Sequence, residues 1–367
     1  MAIVTRYFST AAAGAGDGTT WADRAQLVSG ATWSSVITGF SFAGSDSLRC
    51  LIGPGTYSPT AALATAGSAA NPLCLYGCDS SGNLLTPPDP DWTSDQPPFS
   101  DSSLPVIATT TNIRTFTGAP FCAFLKLTAS GCNGYISNGN HQWCHVINTT
   151  SHASAQASQG SGSNSYYACT ANTWDYVAYW GSPVPLTNVR IEGGGTGGSS
   201  TRAGVNATAN TTHTLTHCTI FNCAGQGVNC GTASTANSVR LLNCTIVNNG
   251  DDGVQLSSTG SQTINTYIIN CLISGSGAYG IDGQSGRAIV LHTRLRDNTS
   301  GNITSLGNYP DNTDIYTTDD SDAAEFVDSS NKDFRVKSTA TIAGMGYGVS
   351  TQAATGGGTL AAAWVGT

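Results

Sequence analysis

One period governs the middle of this chain. Five segments between Leu186 and Leu295 line up: Leu186-Thr-Asn-Val-Arg-Ile191, Leu215-Thr-His-Cys-Thr-Ile220, Leu241-Leu-Asn-Cys-Thr-Ile246, Ile268-Ile-Asn-Cys-Leu-Ile273 and Val290-Leu-His-Thr-Arg-Leu295. Their last aliphatic residues stand at 191, 220, 246, 273 and 295, which gives spacings of 29, 26, 27 and 22. A second column runs in phase: Gly204-Val205, Gly227-Val228, Gly253-Val254 and Gly280-Ile281, spaced 23, 26 and 27. Two columns sharing a period of about 26 make an internal repeat, and a repeat of that length restricts the chain to a stacked architecture.

Each unit consists of short alternating runs broken by Asn, His or Gly, the pattern of strand, turn, strand. In Cys218-Thr219-Ile220 the period of two puts Cys218 and Ile220 on one face and Thr219 on the other. Down the column the flanking positions are mostly apolar and the middle position is Arg190, Thr219, Thr245, Leu272 and Arg294, so the apolar face is the buried one. The residue at the break is Asn188, His217, Asn243, Asn270 or His292. Asn and His are enriched at positive φ, which predicts a sharp left-handed bend at this column, with the stacked amides able to hydrogen-bond along it.

A coil of about 26 residues with an Asn column at one bend resembles the pectate-lyase-like superfamily. The resemblance implies an all-β, single-stranded right-handed parallel β-helix solenoid. The ends are similar too. A first strand, a helix carrying Trp21, the strand holding Pro54-Gly-Thr-Tyr57 and the strand Leu75-Tyr-Gly77 resemble the N-terminal end of such proteins. Ala324-Glu-Phe-Val-Asp…Asp333-Phe-Arg-Val-Lys337 resembles their terminal coil.

Three divisions follow: an N-terminal cap over 1–47, a β-helix over 48–348, and a C-terminal arm over 349–367. The exposed end of a solenoid needs covering. Thr20, with Asp23 three residues on, predicts a short capping helix that turns Trp21 and Leu27 to the core. Pro87, Pro88, Pro90, Pro97 and Pro98 predict a loop thrown out over 79–104. The Ser- and Gly-rich stretch 149–184 predicts a second excursion. It carries Tyr166, Tyr167, Trp174, Tyr176, Tyr179 and Trp180, which suit either a glycan or partner contact or a cover for the flank of the coils. Gly356-Gly-Gly358 before Leu360-Ala-Ala-Ala-Trp364-Val365 suits an arm docking on a neighbouring subunit in a homo-oligomer, or a plug for its own end.

Charge excludes some partners. Only 10% of residues are charged, with three lysines (Lys126, Lys332 and Lys337) and a net charge of −8. Nucleic acid and anionic membrane both call for a basic face, so neither is expected. No apolar run is long enough to span a bilayer, and Met1–Arg6 lacks the apolar core of a leader, so synthesis in a host cytoplasm is expected. Twelve cysteines are present, but Cys218, Cys244 and Cys271 share one inward column about 4.8 Å apart. That spacing exceeds what a bridge needs, and buried free thiols are expected. Cys74 and Cys78 are half a metal site with no second half, so no metal and no other cofactor is expected.

The acidic candidates are Asp251, Asp252 and Asp282. The Asp251-Asp252 pair superficially resembles the paired aspartates of polygalacturonases, but the Gly-His-Gly and Arg-Ile-Lys signatures of that family are missing. Aligning Gly253 with Gly280 sets Asp282 beside Gln255, about 11 Å from Asp252, whereas a glycosidase pair stands roughly 5–9.5 Å apart. Extended geometry would also send Asp251 and Asp252 to opposite sides. Asp before Gly is ordinary turn chemistry, so no catalytic residue is assigned. Three functions stay open. The first is a non-enzymatic structural protein of a virus particle, such as a bacteriophage capsid-decorating or exterior shell protein contacting other virion proteins. The second is a tailspike-like enzyme cleaving polysaccharide through Asp251, Asp252 or Asp282. The third is a non-catalytic module binding host surface glycans through Trp174, Tyr176, Tyr179 and Trp180.

Overall fold

The computed structural model describes residues 3–27, 47–58, 63–64, 73–85, 104–109, 116–117, 121–129 except 124, 140–148 except 143, 156–160, 165–167, 170–172, 176–180, 185–194 except 188, 203–207, 212–230, 238–256, 266–283, 288–304, 306, 315–316 and 326–336 except 332. Three parallel sheets of twelve, eleven and seven strands run along the molecule, and successive turns of the chain visit each in order. One turn reads Thr212–Thr216 in the first sheet, Thr219–Phe221 in the second and Gln226–Asn229 in the third. The next repeats it with Ser238–Leu242, Thr245–Val247 and Val254–Gln255. The chain is therefore a parallel β-helix.

The aligned columns are the hydrogen-bonded register. Leu186, Leu215, Leu241, Ile268 and Val290 face one another rung by rung in the first sheet. Ile191, Ile220, Ile246, Ile273 and Leu295 do so in the second. Val205, Val228, Val254, Ile281 and Ile303 form the third ladder. All three point inward and, apart from the half-buried Ile303, are sealed from solvent. A one-residue slip would turn a ladder outward, so burial itself enforces the register.

The predicted bend column has positive φ at His217, Asn243, Asn270 and His292, between 47° and 54°. The Asn243 amide lies 3.3 Å from the His217 ring on the coil before it. Asn188 lies outside the described residues. A second left-handed column, absent from the sequence reading, closes the other side of the same strands: Gly193, Asn222, Asn248, Gly275 and Asp297. Each pair of columns brackets a segment of four residues, so this corner is invariant. The uneven spacing of the repeat arises in the stretches leading into and out of the third sheet.

The thiol column also has a polar duty. Cys218, Cys244 and Cys271 are free and fully buried. Each donates to the carbonyl of the inward first-sheet residue in the coil before it: Cys218 to Leu186, Cys244 to Leu215, Cys271 to Leu241, at 3.4–3.5 Å. Thr293 takes the next place in the column and donates its hydroxyl to Ile268 O at 3.2 Å. Burial pushes the Cys218 and Cys271 thiols well above the ordinary range.

Four expectations need correction. The capping signal at Thr20 does not start a helix in the described residues: Asp23 N donates to Thr20 Oγ1 and O, which closes a turn. The chain then runs extended, and Ala25–Gln26 pairs with Phe8 and Ser9 to end the first sheet. A helix start and a Thr-closed turn use the same bond, so the local signal is shared. Residues 3–9 form the expected first strand, paired with Ser47–Ile52 in that sheet.

The stretch 149–184 is not wholly an excursion. Gln156–Gly160 and Tyr176–Trp180 belong to the third sheet, Ser165–Tyr167 to the first and Thr170–Asn172 to the second. Its Ser and Gly content hid strands that neighbouring rungs impose, because strand preference depends on context. Within 79–104, residues 79–83 form a turn built on Asp79, and most of the rest lies outside the described residues.

Phe326–Asp328 and Asp333–Val336 do not add a coil; they form an antiparallel hairpin. Phe326 and Phe334 lie on Phe221, Val247 and Leu272, on the outer face of the second sheet. Ring centroids are 5.2 Å apart for Phe221–Phe334 and 5.3 Å for Phe326–Phe334. Outward positions that read as a solvent face are buried, with Arg294 and Arg296 each 1% exposed. The Arg296 guanidinium is 5.8 Å from the Phe326 ring and pairs with Asp297.

Candidate functional site

Asp251 and Asp252 stand at the entrance to the third sheet, and Asp282 ends the third-sheet strand of the next coil. Asn248 turns the chain, and Asn249-Gly250 brings it flat against the coil before it, where a Cβ on Gly250 would stand 2.4 Å from Ala224 O. Asn249 Oδ1 accepts the Cys223 N–H at 3.1 Å and pins this corner. Asp251 and Asp252 follow, still ahead of the strand Val254–Gln255. They belong to a bend, so the alternation expected of extended chain does not apply. Gln255 pairs with Asp282 in the next coil, as the alignment predicts.

Each aspartate ties coils together. Gln226 Nε2 donates to Asp251 Oδ2 at 2.8 Å from the preceding coil. Asp252 Oδ1 accepts Tyr279 N–H at 2.9 Å from the following coil, and Oδ2 accepts Gln255 Nε2 at 3.3 Å. Backbone bonds double these links: Gly227 N to Asp252 O at 3.0 Å and Ala278 N to Asp251 O at 3.2 Å. Asp252 is only 3% exposed.

Burial, with the nearby negative charge of Asp282, raises the Asp251 carboxyl above its ordinary value. Burial raises Asp252 further, to about 6, against the opposing hydrogen bond from Tyr279 and with added repulsion from Asp251 and Asp282. Both aspartates therefore sense Asp282, and the three carboxylates form one patch. Gln226 and Gln255, which the sequence reading did not select, are its polar partners. Their signal was positional, since Gln255 stands one rung from Asp282. A carboxylic acid that holds its proton up to about pH 6 beside other carboxyl groups is chemically fit for general acid catalysis or for proton-dependent contact.

Along the third sheet, one column pairs Gln159, Tyr179, Asn206, Asn229, Gln255, Asp282 and Thr304 in unbroken register. Tyr179 thus shares a column with Asp282, and Trp180 pairs with Ala207 one place along. Tyr176 starts the same strand. Trp174 lies outside the described residues, as do Leu360, Trp364 and Val365. Among the described residues no group of three or more His, Cys, Asp or Glu side chains is placed to hold a metal ion.

A scan against protein-family models and a search of curated proteins returned no match. Solved structures do show similarity. Pectate lyase Pel9A aligns at 11% identity and TM-score 0.43, covering 88% of this chain and 82% of that one. A rhamnogalacturonan lyase aligns at 13% identity and TM-score 0.44, covering 88% and 90%. ORF18 of Geobacillus virus E2 aligns at 10% identity and TM-score 0.35, covering 78% of this chain and 55% of that one. Likenesses this distant carry no argument about activity. The parallel β-helix stands on the strand register of the molecule itself.

Proposed function

We propose that this chain is a non-enzymatic structural protein of a virus particle, an exterior shell or capsid-decorating protein of a bacteriophage that packs against other virion proteins and copies of itself. The observation that carries the non-enzymatic part is the use made of the carboxylates. Asp251 and Asp252, which a glycan-cleaving site would need free, are engaged in bonds between coils, and Asp252 is almost wholly buried. A chain with only 10% charged residues suits close apposition to other subunits. The particle setting is drawn from the apolar run Leu360–Val365, whose composition suits burial against a neighbour.

Quantitative mass spectrometry of purified particles tests this, with the chain expected in fixed stoichiometry to the major shell protein. Its absence from particles would refute the reading. A second reading is favoured by the near-neutral Asp252 beside Asp251 and Asp282: cleavage of an acidic or neutral polysaccharide. New reducing or unsaturated ends released from a polysaccharide panel, and abolished by Asp252→Asn or Asp282→Asn, would establish that alternative instead.

A further inference from the structure

The bend at 251–252 combines features that a merely structural turn would not need. It places two carboxyl groups side by side and a third, Asp282, one coil on. The groups facing them in the described residues are Gln226 from the coil before, Gln255 from their own coil, and Tyr279 and Asp282 from the coil after. Carboxylates, amides and backbone N–H groups make up this list; no cation of the described residues enters the charge balance of either aspartate. Both side-chain partners are primary amides. An amide donates its N–H to an ionised carboxylate and, turned over, accepts the O–H of a protonated one. Each pair, Gln226–Asp251 and Gln255–Asp252, can therefore stay bonded in either protonation state.

We propose that the Asp251–Asp252 bend, with Asp282 on the next coil, is a proton-dependent clasp between coils, which tightens on mild acidification and loosens again as the acid is neutralised. Protonation relieves like-charge repulsion across the rung and the burden of a buried charge, while Tyr279 N–H keeps its acceptor on Asp252. Deprotonation restores both penalties at the contact joining residues 225–230, 249–256 and 276–283. The direction follows from linkage. A carboxyl group that holds its proton more tightly when folded stabilises the fold fully below its unfolded value, near 3.8, and that contribution fades as pH rises through about 6. Asp17 and Asp79, held below their ordinary values by hydrogen bonds from Thr19 and Asn83, act in the opposite sense and only at lower pH. The clasp does not depend on the particle reading.

Hydrogen exchange of the full chain, followed by mass spectrometry from pH 5 to pH 8 and corrected for intrinsic amide rates, tests the clasp. Peptides covering 225–230 and 276–283 should lose protection by roughly tenfold from pH 5 to pH 8, the part of the effect that a rise from 3.8 to about 6 leaves above pH 5. Peptides covering 47–57 should not follow. Asp252→Asn should flatten the dependence, and Asp251→Asn, at a half-buried position, should lessen it if the first variant does not fold. Equal pH slopes in the wild type and the folded variants would overturn the proposal, as would protection lost toward acid.

Discussion

The glycine column offers the sharpest test of how closely the coils stack. Gly253 has an ordinary φ, so space rather than backbone freedom demands glycine there. A Cβ at this position would lie 2.4 Å from Ile273 Cγ2, 2.7 Å from Gly280 O and 2.9 Å from Ser276 Oγ. The isoleucine can rotate for about 1 kcal/mol. Gly280 O belongs to the backbone of the next coil, and reaching ordinary contact there means moving the coils apart by about 0.7 Å. The bonds Gly253 N to Tyr279 O and Val228 N to Gly253 O are both 2.9 Å, and the first would stretch to about 3.6 Å, past useful length. Overpacking and one weakened rung together put the cost of Gly253→Ala at about 3 kcal/mol. Unfolding of a solenoid need not be two-state, so the assay should be residue-resolved. Hydrogen exchange should show lost protection centred on 249–283, with 47–57 little changed, alongside a lower denaturant midpoint. A cost below about 1 kcal/mol, or a loss spread evenly along the chain, would refute the claim that the absent Cβ sets the coil spacing.

Other substitutions test other links. Cys244→Thr keeps a side-chain donor for Leu215 O, as Thr293 does for Ile268 O in its own place, whereas Cys244→Val, isosteric with the threonine, removes it. Val should be less stable than Thr by about 1 kcal/mol in urea unfolding, and the reverse order would discount the donor role. Phe334→Ala removes the ring that meets both Phe221 and Phe326. It should cost about 3 kcal/mol of hairpin docking and release the amides of 326–336, while those of 241–247 stay protected; unchanged exchange in the hairpin would contradict its seat on the second sheet.

The stack itself was written in the amino-acid sequence. A solenoid puts the same structural demand at the same place in each turn, so its ladders, its Asn and His bends and its glycines recur as columns that one chain displays without any coordinates. Leu215, Leu241 and Ile268 could be paired correctly by counting, and so could Gln255 with Asp282. The second bend column was legible in the same way, through Asn222, Asn248 and Asp297, though its mixture of Gly, Asn and Asp masks the recurrence.

Tertiary structure decided what happens only once, because an event without a period leaves no column. Nothing local in Phe326 or Phe334 says that they cross the outer face of the second sheet, where the Phe326 ring meets the Arg296 guanidinium. The strands at 156–180 exist because neighbouring rungs supply their hydrogen bonds, against a Ser- and Gly-rich composition. Asp251 and Asp252 came together with Asp282 because a bend, unlike a strand, does not alternate its side chains. Periodic burial specifies the tube from within, while the contacts on its outside depend on where each excursion returns through space.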